Sequence, residues 1–144
     1  MKNKILIFII TYNASYRVLD VIKKIPFEYL KDSYFEVFIS DDKSNDDTIM
    51  YINKVKSMLK NKVTININAT NVGYGANIKK CIKFAYKKKF DYAAMLHGDN
   101  QYSSKYLKEM LIKLFNDKNI AAASGSRMIN KKNAIKGKMP LYKF

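Results

Sequence analysis

The chain has 144 residues, 48% of them hydrophobic, which suffices for one buried core and argues against a disordered chain. Its single cysteine, Cys81, excludes an internal disulfide, and with His97 the sole histidine no Cys/His zinc site can form, so any metal must take oxygen ligands. The formal charge of +15 admits anionic partners, yet of the 27 basic residues only Arg17 and Arg127 are arginine, and the wealth of Asn and Ile fits an AT-rich coding bias better than a base-reading surface.

In chain order, Lys4 to Thr11 is a continuous Ile/Leu/Phe run, as expected of a strand buried on both faces; it is too short to span a bilayer. No small-residue cleavage site follows it, so export is not indicated and a cytoplasmic location is the expectation. Ser15 to Ile25 predicts a helix stopped by Pro26, and Phe35 to Ser40 a second strand. Thr48 to Lys60 predicts a helix with Ile49, Ile52, Val55 and Leu59 on one side and Asp46 and Asp47 at its start, followed by a strand from Val63 to Asn68. Gly73 and Gly75 open a helix carrying Ile78, Ile82, Ala85 and Tyr86, with Cys81 on its apolar side. Tyr92 to Leu96 is a fourth strand. Ser103 or Ser104 caps a last helix striped by Leu107, Met110, Leu111, Leu114 and Phe115, and Ile120 to Ser124 predicts a short fifth strand. The alternation β-α-β-α-β-α-β-α-β predicts a mostly parallel sheet covered by helices.

Ligands of such sheets bind beyond the carboxyl ends of the strands, which directs attention to Thr11-Tyr12-Asn13, Asp41 to Thr48, Asn71 to Asn77 and His97 to Tyr102. Residues 41–47 hold four of the twelve acids in a chain rich in lysine. Asp46 and Asp47 suit helix capping. Asp41 and Asp42, at a strand end, suit the hydroxyls of a ribose or the imide of a base. Asp99 leaves a buried strand for a loop with Gln101 two residues on, a pair able to serve Mg²⁺ or Mn²⁺, which need one or two carboxylates beside substrate phosphates. A Gly-Asp-Asn turn alone is commonplace, and a lone histidine such as His97 is more often structural than a ligand.

Together these elements resemble the family 2 glycosyltransferases, in particular the branch of dolichyl-phosphate mannose synthase and bacterial polyprenyl-phosphate sugar transferases. Ile10-Thr11-Tyr12-Asn13-Ala14 is similar to that family's Pro-x-Tyr-Asn-Glu, with Ile10 and Ala14 departing from it. Asp41 to Thr48 resembles its Asp-Asp-Gly-Ser-x-Asp-x-Thr element with Lys43 in place of Gly. Asn71-Val72-Gly73-Tyr74-Gly75 resembles its Asn-x-Gly-x-Gly loop, and Gly125-Ser126-Arg127 its Gly-Ser-Arg.

The resemblance implies a three-layer α/β/α, Rossmann-like GT-A fold that binds a UDP- or GDP-linked sugar with a divalent metal for inverting transfer to an acceptor such as a polyprenyl phosphate or a glycan. It implies a donor site of Thr11, Tyr12, Asn13, Asp41, Asp42, Asn71, Gly73, His97, Gly98, Asp99 and Arg127, with Tyr12 against the base and Asp41 or Asp42 on base and ribose. Asp99 and Gln101 would hold the metal and Arg127 approach a phosphate. His97 stands where the first Asp of the family's Asp-x-Asp usually stands. Residues 1–129 then form the nucleotide-sugar domain, and 130–144, with five lysines and no acid, a basic tail suited to the inner face of a membrane. The general base and most acceptor contacts of the resembling family lie past the region matched by 139–144, so the chain is expected to be truncated and slow or inactive in transfer. The rival reading is a non-enzymatic basic α/β module binding anionic lipid or nucleic acid.

Overall fold

The structure, a computed structural model, describes residues 3–126. They fall into two compact units, one ending at Lys108 and the other beginning at Glu109. The first holds the strands β1 (Lys4–Thr11), β2 (Tyr34–Asp41), β3 (Val63–Ile67) and β4 (Tyr92–His97) and the helices α1 (Arg17–Lys23), α2 (Thr48–Leu59) and α3 (Tyr74–Lys87).

All four strands are parallel, in the order β3-β2-β1-β4. β1 is central and its side chains are buried on both faces from Ile5 to Thr11, which is why it reads as an unbroken apolar run. Leu6, Phe8 and Ile10 join Phe38, Cys81 and Ala85 in a core under α3, completed by Ile78, Phe84 and Phe90. Ile5, Ile7, Ile9, Val37 and Ile39 alternate onto the other face and are equally buried, as are Val18, Val21 and Ile22 of α1 and Ile52 and Val55 of α2. The connections through α1 and α2 step one way across the sheet and the connection through α3 steps back, so right-handed crossovers place α3 on the opposite face.

Three sequence expectations are corrected. The first helix begins at Arg17 rather than Ser15, because Asn13 and Ser15 have positive φ, incompatible with a right-handed helix. In α3 the inward positions are Asn77, Ile78, Cys81, Phe84 and Ala85, whereas Ile82 and Tyr86 are exposed, about 100° or more around the helix from Cys81. Ile120 to Ser124 form no strand. The amide of Ile120 closes a turn onto the Asp117 carbonyl at 3.2 Å, and the Ala-Ala-Ala that follows has little strand preference.

The second unit contains the body of α4 (Leu107–Asn116), which begins in the first. Leu107 and Leu111 of its predicted stripe are buried, and Met110, Leu114 and Phe115 are half-buried. Neither candidate serine caps it through its side chain: Ser103 precedes a short 3-10 turn without a capping bond, and the Ser104 hydroxyl donates to the Val21 carbonyl at 2.6 Å. Among the described residues no helix is long and apolar enough to cross a membrane.

Candidate functional site at the carboxyl ends of the strands

The chain winds from β1 to β3 through α1 and α2 and then returns past β1 to β4, and a crevice at such a switch point is where open parallel sheets bind ligands. Thr11 and Gly98 meet at this point. The Gly98 amide donates to the Ile10 carbonyl at 2.9 Å, extending the β1–β4 ladder by one rung. A Cβ on Gly98 would stand 2.3 Å from the Thr11 methyl, so the close approach of the two loops requires glycine.

The loops after β1 and β2 are stitched together by side chains. Asp41 is fully buried and its carboxylate accepts from the Thr11 hydroxyl at 2.8 Å and from the Ser44 amide and hydroxyl at 2.8 and 2.6 Å. The Asn13 amide donates to the Ser44 hydroxyl, and the Asn13 side-chain oxygen accepts from the Asn45 amide. Thr48, first residue of α2, accepts from the amides of both Ala14 and Ser15 and donates to Asp46. Asp46 also accepts from the Thr48 amide, so it supports the helix start as expected, while Asp47 occupies the cap position without a side-chain bond. Asn13, Ser15, Lys43 and Asn100, all in loops at this edge, have positive φ. Lys43 occupies the position where glycine was the usual residue, and its φ of 64° is the reason glycine suits it.

Asp42 organises the next loop. Its carboxylate accepts from the amides of Val72 and Gly73 at 2.8 Å each and from the Asn68 side chain at 2.9 Å. Burial pushes the Asp42 carboxyl upward, but the Val72 amide, the Asn68 carboxamide, the Gly73 amide and the Lys80 charge together outweigh it, and its pKa lies below the ordinary 3.8. Asn71 caps the same turn by accepting from the Gly73 amide at 3.0 Å, and Gly73 has a φ of 84°. Below it, Ser40, Asn66, Asn68 and Asn77 form a connected amide and hydroxyl network to which Lys80 donates. Asn68 was not singled out from the sequence, and Ser44, Thr48 and Asn77 lie within the segments singled out there but were given no role of their own. Nothing in the sequence distinguishes an inward amide from a solvated one.

At the end of β4, His97 lies between two tyrosines. Its ring centroid is 5.7 Å from that of Tyr74 and 5.0 Å from that of Tyr102, and the Tyr74 hydroxyl is 3.4 Å from Nε2. Tyr74 and Tyr102 were likewise not singled out from the sequence. Asp99 is half-buried and one carboxylate oxygen accepts from the Gln101 amide at 3.0 Å; its other oxygen has no bond within the described residues. Gln101 therefore meets Asp99 through its backbone. Lys24 donates to the Asn100 side chain at 3.2 Å, bringing a cation to the same loop. Tyr12 is half exposed and makes no internal bond among the described residues.

The residues fit a hard cation only in a limited way. Among the described residues no three His, Cys, Asp or Glu side chains converge, so Asp99 would supply a single oxygen, and phosphate and water would have to complete the shell. Arg127 lies outside the described residues.

Fold and site thus define an open parallel α/β domain with polar, hydrogen-bonded loops gathered at its switch point. The family model for glycosyl transferase family 2 matches residues 6–141, and the chain belongs to that family. Among solved structures it is similar to the mannosyltransferase PcManGT from Pyrobaculum calidifontis in complex with GDP-Man and Mn²⁺, at 16% identity and a TM-score of 0.65 over 83% of this chain and 34% of that one. It is also similar to S. aureus TarS 1–349 in complex with UDP, at 22% identity and a TM-score of 0.59 over 81% of this chain and 32% of that one. The same TarS fragment in complex with UDP-GlcNAc gives 21% identity and a TM-score of 0.55, with coverages of 81% and 32%. These likenesses establish the GT-A fold, and the chain spans about a third of the length of each of these structures. No curated protein matches the chain.

Proposed function

We propose that the crevice between β1 and β4 binds a nucleoside-diphosphate sugar with Mg²⁺ or Mn²⁺, as the donor half of an inverting glycosyltransferase. The observation that carries this reading is the delivery of Asp99 from the switch point with one carboxylate oxygen unengaged among the described residues, across a Gly98–Thr11 contact between the two loops. Tyr12 offers an exposed ring to the base, and Thr11, Asn13, Asn71, Gly73, His97, Gly98 and Arg127 complete the donor site, with Gln101 beside the metal. Lys24 adds a positive charge near the diphosphate. A divalent cation at Asp99 would offset charge growing on the departing diphosphate. That PcManGT is found in complex with GDP-Man and Mn²⁺, and TarS with UDP and with UDP-GlcNAc, supports the donor class.

Asp41 and Asp42 have their carboxylates taken up by internal donors, so neither is available as the base that deprotonates an acceptor. The acceptor on this reading is a polyprenyl phosphate or a glycan met at the cytoplasmic face of a membrane, to which residues 130–144 would be attracted.

Calorimetric titration with UDP and GDP, with and without Mn²⁺, tests the proposal. Metal-dependent binding of one nucleotide is expected, weakened at least about tenfold in Asp99→Ala, which corresponds to ~1.4 kcal/mol. Binding of neither nucleotide, or no effect of Asp99→Ala, overturns it. The charge of +15 supports the rival basic-module reading, which predicts affinity for anionic vesicles or nucleic acid that falls steeply with salt and ignores Asp99.

A further inference from the structure

Between β1 and α1 the chain turns with left-handed backbone at Asn13 and Ser15, φ 49° and 51°, a conformation that persists in such residues only when their surroundings hold it. Among the described residues, every hydrogen bond that residues 13–15 make beyond the turn and the start of α1 goes to residues 44–48. Two of these bonds join Asn13 to Ser44 and Asn45. The other two converge on one atom: the Ala14 and Ser15 amides donate to the Thr48 hydroxyl oxygen at 2.8 and 2.7 Å. That oxygen is not spent on the helix it begins, since both amides lie more than thirty residues earlier in the chain. Thr48 is fully buried, and its hydroxyl is saturated, with two acceptor sites taken by the turn and its one proton given to Asp46. Tyr12, just before the turn, is 53% exposed and has no hydrogen bond of its own among the described residues. The backbone on either side therefore decides where its ring stands. On one side the Thr11 carbonyl accepts from the Asp42 amide at 2.8 Å, and on the other stands the turn that Thr48 holds.

We propose that Thr48 is a positioning residue for the base of the nucleotide: its buried oxygen holds the turn at residues 13–15 in its left-handed form so that Tyr12 is presented to the donor. Thr48 itself is out of reach of a ligand and acts only through that turn. Asp46 fixes the hydroxyl rotor, which leaves both lone pairs directed at the Ala14 and Ser15 amides. Two successive amides turned toward one acceptor form a concavity that an oxygen fills and a methyl group does not. The proposal rests on the nucleotide-sugar reading of the crevice, in which Tyr12 lies against the base.

Amide hydrogen exchange and nucleotide titration on the full chain test the assignment. In the wild type the amides of Ala14 and Ser15 should be protected although they lie in a turn between two elements. In Thr48→Val, which keeps the shape and removes the oxygen, both should exchange at least about tenfold faster while Ile7 and Ile9 of β1 keep their protection. Thr48→Val and Tyr12→Ala should each weaken binding of whichever of UDP or GDP binds by at least about fivefold, and Thr48→Ser should restore both protection and affinity. In the Tyr12→Ala background Thr48→Val should cost no more than about a further twofold, because the two act as one unit. A purely structural Thr48 would leave the affinity of the folded Thr48→Val variant unchanged, or make its loss fully additive with that of Tyr12→Ala, and either result overturns the proposal. Unprotected Ala14 and Ser15 in the wild type overturn it as well, and that measurement holds even if Thr48→Val does not fold. If the wild type binds neither nucleotide, the donor reading fails and the role toward the base with it, while the exchange rates still decide whether Thr48 holds the turn.

Discussion

The Thr11 hydroxyl donates to Asp41 at 2.8 Å across the end of the sheet, and the methyl on the same Thr11 carbon occupies the space beside Gly98. One side chain thereby ties β1 to β2 through its oxygen and to the β4 loop through its carbon. Hydroxyl and methyl can be removed separately, which makes the junction experimentally tractable.

Gly98→Ala should destabilise the fold by ~1–3 kcal/mol, because the new methyl lands 2.3 Å from the Thr11 methyl and 3.1 Å from the Ile10 carbonyl. Adding Thr11→Ser, which deletes the methyl and keeps the hydroxyl for Asp41, should recover part of the loss. Urea denaturation of the two single variants and the double variant measures the coupling. Strictly additive costs would mean that the clash is relieved elsewhere.

Thr48 carries two backbone amides on one oxygen, those of Ala14 and Ser15. Thr48→Val leaves both donors without a partner in a buried place and should cost about 1–3 kcal/mol, while Thr48→Ser keeps the acceptor and should cost much less. The comparison is made by chemical denaturation, and equal losses in the two variants would assign the effect to packing of the methyl.

The pH dependence of stability should carry the signature of Asp42. Its folded pKa is depressed below 3.8, so the folded state favours the carboxylate. The stabilisation is fully present above the unfolded value of about 3.9 and is lost as pH falls through the lower folded value. Between about pH 6 and pH 3 the wild type should therefore lose more stability than Asp42→Asn, and the two curves should converge in acid. Parallel curves would show that another group dominates.

Lys43 holds a left-handed backbone at a cost of roughly 1 kcal/mol, partly offset by its ammonium bond to the Ala69 carbonyl at 2.9 Å. Lys43→Gly should leave stability within about 1 kcal/mol of the wild type, whereas Lys43→Ile, β-branched and unable to make the bond, should be clearly destabilising. Thermal unfolding of the pair separates backbone strain from loss of the ammonium.

The sequence by itself determined the four strands and their layering, since an apolar run such as Ile5 to Ile10 is buried on both faces whatever its neighbours. It also located the loops that form the site and isolated Asp99, because strand ends in a parallel sheet all open on one edge. The start of α1 and the inward face of α3 were misread because they depend on local φ values and on which helical residues the sheet covers. The fifth strand fails because Ala121 to Ala123 supply no side chains that would favour pairing. Only the tertiary structure decided which groups the acidic pair bonds. In the sequence Asp41 and Asp42 are equivalent neighbours, but successive residues leave a strand on opposite sides. Asp41 turns to Thr11 and Ser44, Asp42 to Val72, Gly73 and Asn68, and those donors come from segments up to thirty-one residues away whose approach no local pattern records.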